Sequence, residues 1–355
     1  MTKINILSQG RFHMLDLARE LDHTGFDIKF YSFIPTSRCI KFGLQKKCIV
    51  SLFGIIAPFL ILRRIFPKLS WIHIKVQDFI MGIFMRKCDI CISLTGYVYA
   101  PRIAQKKGAI IIMERGSKHI LEQKKILEKN PHKKNEAIPN RNIKCNLKAY
   151  QFANFISVAS QHVKESFLLH QYPENRIFVN PYGVDLSMFK PLPNIPKKYD
   201  VIMVGGWGYE KGCDLIVEAI RKTNYSFIHV GSIKDVDFPQ EKNFTHIDPV
   251  DQSKLIEYYN QAKVFILPSR QDGFGMVLSQ ALACNLPIIG SNNCGAPDLK
   301  KMVELPEYIT IIKDYTADAI VTAIHTAIKN YEQLGERIYA CLLYTSPSPR
   351  DRSVS

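Results

Sequence analysis

The first half of this sequence has few acidic residues for its number of basic ones. Residues 1–190 hold 30 Lys and Arg against 13 Asp and Glu, a net charge of +17, whereas the remainder holds 17 against 19 and is near neutral. This asymmetry predicts that one domain faces an anionic partner. No helix-turn-helix, zinc-finger or RNA-binding aromatic signature accompanies the charge. An anionic membrane surface or substrate is therefore favoured over nucleic acid.

The sequence also lacks an apolar run long enough to cross a bilayer. Its segment Cys48–Leu62 has 15 uncharged residues, whereas a spanning helix needs about 20. Two interpretations stay open for this segment. It is either a buried helix of the first domain, or an apolar hairpin or helix that dips into a membrane surface. In the second case the flanking pairs Lys46–Lys47 and Arg63–Arg64 would meet lipid phosphates.

Disulfide spacing and a secretory signal are missing as well. The nine cysteines form no disulfide framework, and the chain starts directly with a strand-like run, so we expect a cytoplasmic protein, peripheral at the inner face of the plasma membrane if it docks there. The lone C-x-x-C, Cys88–Cys91, lies in an apolar strand pattern, which favours buried strand cysteines over a metal or redox site.

Residues Cys341–Asp351 resemble a translated sequencing-library adapter. We therefore exclude 341–355 from the fold and expect the native chain to be cut short near Ala340.

Strands and helices alternate along most of the remaining sequence. Near-continuous apolar strands in such an alternation predict parallel sheets covered on both faces. A proline-rich break around 180–198 predicts a linker. We expect two doubly wound α/β domains, 1–185 and 186–340, with a ligand cleft between them.

The segment Pro268–Ser291 combines a strand end, a glycine turn, an apolar helix and a second strand. Gly273 and Gly275 flank Phe274, so backbone N–H groups at the helix start could approach a phosphate. A fully helical path from Asp272 to Gln280 would rise about 12 Å, comparable to a sugar–diphosphate–ribose unit. Alternatively, Asp272 is only a helix N-cap and Gln280 an exposed side chain. The spacing alone does not decide between these interpretations.

Further motifs accompany this segment. "VGGWGYEKG" (Val204–Gly212) follows a strand and places Lys211 near a helix N-terminus, and "NPYGVD" (Asn180–Asp185) precedes the linker. Together with Pro268–Leu299, these stretches resemble the retaining glycosyltransferases of family 4, which have the GT-B fold. The resemblance covers most of the second domain. It extends more loosely to the first domain through "GRFHMLDLARELDHTGFDI" and "ERGSKHI".

The resemblance implies roles for residues that match the motifs of that family. Its two acids, spaced eight residues apart, appear here as Asp272, which would contact the transferred sugar, and Gln280, which would bind the ribose. Lys211 would contact the diphosphate. Gly206 occupies the slot of a second cation, an arginine, which another basic residue could replace. Gly10 matches a glycine near the donor phosphates.

The resemblance also implies a retaining transfer without a metal or other cofactor, in which the leaving diphosphate is neutralised electrostatically. Lys211, the helix start at Gly273–Gly275 and Arg115 are the candidates for that role. His119 and Glu114 could position an acceptor hydroxyl, although a helix cap or a surface position is the alternative for His119.

The predicted function is transfer of a hexosyl group from a nucleotide sugar to a lipid-linked glycan or surface-polysaccharide precursor. The alternatives are a GT-B sugar-nucleotide epimerase and a GT-B protein that binds a nucleotide sugar without transfer. A neutral hydrogen bond in place of a charged one at Gln280 costs about 1 kcal/mol. We therefore predict retuned donor binding and not an inactive site.

Overall fold

The computed structural model describes residues 1–66, 72–132 and 138–334. The chain forms two compact units. Unit 1 consists of Met1–Arg115, Ile138–Ser157 and Tyr172–Phe178; unit 2 consists, within the described residues, of 116–132, Val158–Gln171 and 179–334. The expected adapter tail, 341–355, and the last residues of the expected second domain, 335–340, lie outside the described residues. The domain boundary at residue 185 stays a prediction.

Unit 1 is built on a seven-stranded sheet. Its strands, in chain order, are β1 Lys3–Leu7, β2 Asp27–Ser32, β3 Ile49–Ser51, β4 Ile90–Leu94, β5 Ile110–Arg115, β6 Phe155–Val158 and β7 Ile177–Val179. They lie in the order β3-β2-β1-β4-β5-β6-β7, and the pairs from β3 to β5 are parallel. Strands β2 and β3 are thus added on one side of β1, and β4 to β7 are added on the other side. The switch point of the sheet therefore lies between β1 and β4, and the loop after β1 is a switch-point loop.

Helices connect these strands because each crossover between parallel strands needs one. They are α1 Phe12–His23, α2 Thr36–Lys41, α3 Phe53–Ile65, α4 His73–Ile83, α5 Tyr99–Lys106, α6 Ile120–Leu127, α7 Asn140–Phe152 and α8 Gln161–Leu168. Of these, α6 and α8 belong to unit 2. The sequence alternation predicted most of the strands but did not predict α2, β3, α4, α5, α6 and α7.

The apolar segment Cys48–Leu62 divides between β3 and α3. Among the described side chains of α3, Ile56 is buried, whereas Ile61 and Ile65 are each 64% exposed. The interpretation of this segment as a buried helix is therefore wrong for most of α3. No helix in the described part of the chain is both long and apolar enough to cross a membrane.

Unit 2 is built on a six-stranded sheet. Its strands are β8 Tyr199–Val204, β9 Phe227–Val230, β10 Phe244–Ile247, β11 Ala262–Leu267, β12 Ile288–Ser291 and β13 Ile309–Ile312. Its further helices are α9 Cys213–Arg221, α10 Gln252–Asn260, α11 Met276–Ala283, α12 Ala296–Met302 and α13 Ala317–Leu334. The strand order is β10-β9-β8-β11-β12-β13, with every pair parallel. The switch point lies between β8 and β11.

The core of unit 2 follows from its sequence periodicities. Strands β8, β9 and β11 are apolar on both faces and are buried between helices. Helix α13 buries Ile320, Ile324 and Ile328, which recur at the four-residue spacing of one helix face. The prediction of two doubly wound parallel sheets is confirmed, and the carboxyl edge between β8 and β11 is the place where such sheets bind ligands.

Candidate functional site

A lysine and an aspartate meet at the switch point of unit 2. Lys211 lies in the loop after β8, and Asp272 lies in the loop after β11. The Nζ atom of Lys211 donates a hydrogen bond of 2.6 Å to Oδ2 of Asp272, and each side chain stays about one-fifth exposed. Two predicted site residues are thus brought together in a partly open ion pair.

The surroundings keep this lysine charged. Burial lowers the pKa of Lys211, but the carboxylates of Asp272 and Glu210 outweigh burial, and the net shift is upward. Burial raises the pKa of Glu210, against the opposing effect of Lys211. The ammonium of Lys211 therefore persists at physiological pH, and it is suited to hold an anion.

Arg270, in the loop after β11, is hydrogen-bonded to the segment that follows β8. Its guanidinium donates two hydrogen bonds to the carboxylate of Asp214, at 2.6 and 2.7 Å, and one to the carbonyl of Tyr209 at 2.7 Å. The backbone N–H of Arg270 donates to the carbonyl of Glu210. Because bidentate arginine pairs are geometrically specific, this contact fixes the position of Lys211 relative to the strand-β11 loop.

Helix α11 begins later in the sequence than either interpretation of the glycine turn assumes. Helix α11 begins at Met276, and its N-cap is Gly275, at φ +78° and without a side-chain cap. The interpretation of Asp272 as an N-cap is therefore wrong, and so is a fully helical path from Asp272 to Gln280. The N–H of Leu278 donates to the carbonyl of Gly275 at 2.8 Å, whereas the N–H groups of Met276 and Val277 have no acceptor within the helix and are suited to an anion.

The other turn residues pack closely. A Cβ on Gly273 would collide with the carbonyl oxygen of Gly116, so only glycine fits there. The Phe274 side chain is buried, with its ring 5.7 Å from that of Tyr182. Gly273 therefore allows the two backbone segments to approach closely, whereas the ring of Phe274 anchors the turn in the core.

Gln280 is almost buried, with 6% of the residue exposed. Its Oε1 accepts a 3.0 Å hydrogen bond from the hydroxyl of Tyr259, which is fully buried. The interpretation of Gln280 as an exposed side chain is wrong. Because its oxygen is engaged in the core, the amide N–H₂ is the group left to donate, and binding of a ribose by Gln280 stays a prediction.

Ser160 and His162 hold the Asp272–Gly273 backbone, and the sequence did not single them out. The Ser160 hydroxyl donates to the carbonyl of Gly273, and Nε2 of His162 donates to the carbonyl of Asp272 at 2.8 Å. The Ser160 hydroxyl also lies 2.9 Å from Nδ1 of His162. These contacts position the loop that carries Asp272.

Lys118 is a second cation next to this loop that the sequence did not reveal. Its Nζ donates to Oδ1 of Asn293 at 2.6 Å, and the carbonyl of Asn293 accepts from the N–H of Asp272. Burial lowers the pKa of Lys118, and the carboxylates of Glu122 and Glu165 oppose that shift. A signal that could have found Lys118 is its place two residues after Gly116, the residue against which Gly273 packs.

His119 is the N-cap of α6. Its Nδ1 accepts a hydrogen bond from the N–H of Leu121, and its ring stacks on that of His170 at 4.1 Å. The side chain is buried. This geometry matches the helix-cap alternative, and a role toward an acceptor stays a prediction.

Gly10, Glu114 and Arg115 belong to unit 1. Gly10 lies in the switch-point loop after β1, and its carbonyl accepts from the Ser8 hydroxyl. The buried Arg115 donates to Oδ1 of Asn146 at 3.1 Å. Glu114, also buried, lies 3.3 Å from Nε2 of His13. His13 is thus a further polar residue at this edge that the motifs did not indicate.

The predicted membrane-facing cations occupy two places in unit 1. Lys46 and Lys47 are exposed in a short turn, where Nζ of Lys47 lies 3.6 Å from the carboxylate of Asp22. Arg63 and Arg64 lie in the last turn of α3, where cations interact favourably with the helix dipole.

The described residues include no group of three or more His, Cys, Asp or Glu placed to hold a metal. The sequence also contains an Asp-x-Asp triplet, Asp235–Asp237, a pattern that can hold a metal. The two carboxylate oxygens of Asp235 accept from the N–H of Tyr209 and from Nδ2 of Asn130. Metal independence stays a prediction.

Comparison with known proteins finds similarity to glycosyltransferases. The model of the family "Glycosyl transferases group 1" matches residues 187–340. A probable sucrose-phosphate synthase of Thermosipho melanesiensis is 25% identical over 219 residues, which cover 54% of this chain and 50% of that protein. The chain thus spans about half the length of that curated relative.

Solved structures cover nearly the whole chain. HepE of Anabaena, in complex with UDP and glucose, superimposes with a TM-score of 0.65 at 13% identity and covers 96% of this chain and 94% of its own. The lipopolysaccharide outer core galactosyltransferase WaaB gives 0.57 at 14% identity, with 95% of each chain covered. The fold is GT-B. Together, the family match and the relatives support a GT-B glycosyltransferase.

Two histidines of unit 2, the half-buried His162 and the buried His229, give its stability a dependence on pH. Burial, followed by the charge of Lys118, lowers the pKa of His162 to about 4, and burial lowers that of His229 to about 4. The unfolded chain protonates these rings near 6.5. Between these values the unfolded state binds more protons, so stability is full above pH 6.5 and falls as the pH drops toward 4.

We expect the midpoint of denaturant unfolding to fall over that range. His162→Gln keeps a donor for the Asp272 carbonyl but cannot titrate, so its midpoint should fall less steeply than that of the parent. Equal slopes for parent and variant would contradict the assignment of this effect to His162.

Proposed function

We propose that this chain is a retaining glycosyltransferase. It moves a hexosyl group from a nucleotide sugar to a glycan or lipid-linked glycan, without a metal ion. The observation that carries the proposal is the Lys211–Asp272 pair at the switch point of unit 2. This pair lies beside the start of α11, at the sheet edge where a doubly wound domain binds a nucleotide.

The two side chains suit different parts of a donor. Lys211 provides a lasting positive charge for the diphosphate, and the N–H groups at the start of α11 add donors for its oxygens. Asp272 accepts hydrogen bonds, which suits the hydroxyls of the transferred sugar. When a donor binds, the Lys211–Asp272 contact exchanges for contacts to the ligand, so Lys211 pairs with the diphosphate and Asp272 stays hydrogen-bonded.

The transfer step follows from these charges. The bond between the anomeric carbon and the diphosphate oxygen breaks, and the diphosphate leaves with the electron pair. An acceptor hydroxyl forms the new bond on the same face, and its proton passes to the departing phosphate oxygen. Lys211 stabilises the negative charge that develops on the leaving group, which is the kind of electrostatic assistance that contributes most to such reactions.

The acceptor is proposed from the surface of unit 1. HepE was solved with UDP and glucose, and WaaB is named for a lipopolysaccharide acceptor. Those ligands belong to those proteins. In this chain, support for a lipid-linked acceptor comes from an apolar surface that includes the predicted cations Arg63 and Arg64, and from the two exposed lysines Lys46 and Lys47.

This surface, called here the α3–α4 surface, joins the exposed faces of two helices. The ring of Phe59 on α3 stacks on that of His73 on α4 at 6.0 Å, so the helices adjoin. Six of its exposed apolar side chains are Ile61, Ile65, Phe66, Ile74, Phe79 and Ile83. Residues 28–77 contain nine Lys and Arg and no Asp or Glu. An apolar face with this charge is complementary to an anionic bilayer.

Vesicle flotation tests this surface. The parent should bind vesicles of phosphatidylglycerol and phosphatidylcholine more strongly than phosphatidylcholine alone. The double variant Arg63→Glu/Arg64→Glu should bind at least about tenfold more weakly, since each cation near such a surface contributes about 1 kcal/mol.

Ile61→Ser/Ile65→Ser should also weaken binding while it leaves folding intact, because both side chains are exposed. Lys242→Glu, a charge reversal in unit 2, is the matched control. If neither double variant weakens vesicle binding, or if binding does not depend on anionic lipid, the proposal of a membrane partner is refuted.

The donor proposal is tested by thermal shift of the full chain with a panel of nucleotide sugars and nucleoside diphosphates. A true donor stabilises by mass action, by about 2.7 kcal/mol at a hundredfold excess over Kd. Stabilisation without turnover would favour the binding-protein alternative, and conversion of the donor to an epimer would favour the epimerase. If no nucleotide stabilises the chain, the proposal fails.

A further inference from the structure

A lysine side chain lies across Gly206. A Cβ on Gly206 would collide with Cε of Lys234 and would lie 2.9 Å from its Nζ. The chain of Lys234 thus fills the space in which any other residue at 206 would place its side chain. The Lys234 side chain can therefore take this position because Gly206 has no side chain.

The fold itself brings Lys234 to this place. Beyond the ends of β8 and β9, the segments that follow these strands stay side by side, and a parallel bridge joins Trp207 to Ile233. The N–H of Lys234 donates to the carbonyl of Trp207 at 2.9 Å. This extension carries Lys234 past the carboxyl end of β9, while Lys211 follows the carboxyl end of the adjacent strand β8.

The nearby charges leave Lys234 available. It is exposed, and within the described parts of the chain it forms no ion pair. The carboxylate of Asp235, its neighbour, is engaged by the N–H of Tyr209 and the amide of Asn130. Burial raises the pKa of Glu210, and the charges of Lys211 and Lys234 both oppose that shift, so the two cations act on one carboxylate.

We propose that Lys234 binds the diphosphate of the donor together with Lys211. This inference rests on the proposed function and adds to it a residue from the loop after β9. A nucleoside monophosphate offers fewer charges than a diphosphate. Lys234 should therefore contribute mainly to the preference for a diphosphate.

The experiment measures the binding of nucleoside diphosphates and monophosphates (UDP, GDP and ADP against UMP, GMP and AMP) by calorimetry, carrying forward the base that binds most tightly. Lys234→Ala should weaken diphosphate binding about tenfold, the size expected for one charge-assisted contact. Monophosphate binding should change much less. Lys242→Ala removes the same charge before β10, at the opposite edge of the sheet, and should change neither.

A relocation of the charge separates binding from packing. In Gly206→Arg/Lys234→Ala, the cation enters from position 206 into the space that Lys234 vacates, and diphosphate binding should recover to within about threefold of the parent. Gly206→Gln/Lys234→Ala, which adds a neutral side chain, should not recover. If the parent binds a diphosphate and Lys234→Ala binds it equally well, the inference is wrong while the proposed function stands. A parent that binds no nucleoside diphosphate contradicts both.

Discussion

Replacing Lys211 with methionine should reduce donor turnover by about 100-fold or more. Removal of one group that stabilises developing charge costs about 10²–10³ in rate. Lys211 is the cation whose charge is reinforced by Asp272 and Glu210, so methionine removes the charge while it keeps most of the length of the side chain. Nucleoside diphosphate release from the donor measures the effect.

The matched control is Lys222→Met. Lys222 also forms an ion pair of 2.6 Å, with Asp318, but both side chains are largely exposed. Such surface pairs contribute little, so turnover should stay within about twofold of the parent. Thermal unfolding of both variants checks that they fold. A folded Lys211→Met variant with near-parental turnover would remove Lys211 from the mechanism.

The second large effect is expected on stability. Gly273→Ala should lower the free energy of unfolding by about 3 kcal/mol, near the upper end of ordinary overpacking costs. The added methyl would meet the carbonyl of Gly116, which is backbone and cannot rotate away. The two chain segments would have to separate, and the hydrogen bond from Ser160 to the Gly273 carbonyl would be strained.

Gly54→Ala is the control for this substitution. Gly54 lies in the first turn of α3, and a Cβ there meets no atom within 4 Å. Because alanine favours helices over glycine by up to about 1 kcal/mol, stability should stay equal or rise slightly. Urea denaturation of both variants measures the difference. If Gly273→Ala were as stable as the parent, the close approach of Gly273 to Gly116 would be refuted.

Much of the fold could be predicted from the sequence because its signals are local. Apolar strands such as β8 and β11, each followed by a glycine turn and a helix, specify a doubly wound sheet without knowledge of distant contacts. The same local signals placed Lys211 and Asp272 in loops at one sheet edge. The ion pair between them is a tertiary contact that the sequence did not predict.

Other parts of the site depend on contacts between residues far apart in sequence. The hydrogen bond from His162 to the Asp272 backbone joins positions 110 residues apart. No motif links "SQHV" to that loop. Lys234 likewise follows a strand that gave no phosphate signal of its own. The N-cap interpretation of Asp272 was wrong because the chain needs three more residues of turn before α11 begins at Met276.

The proposed activity is the breaking of the bond between a sugar and a nucleoside diphosphate with the help of Lys211. The most direct measurement is diphosphate release from a panel of nucleotide sugars, in the presence of anionic vesicles that contain lipid-linked glycan acceptors, with the parent and Lys211→Met compared. We expect one donor to be consumed, sugar to appear on the acceptor with its anomeric configuration retained, and the variant to lose both signals. Release from no donor, or equal release by parent and variant, would contradict the account.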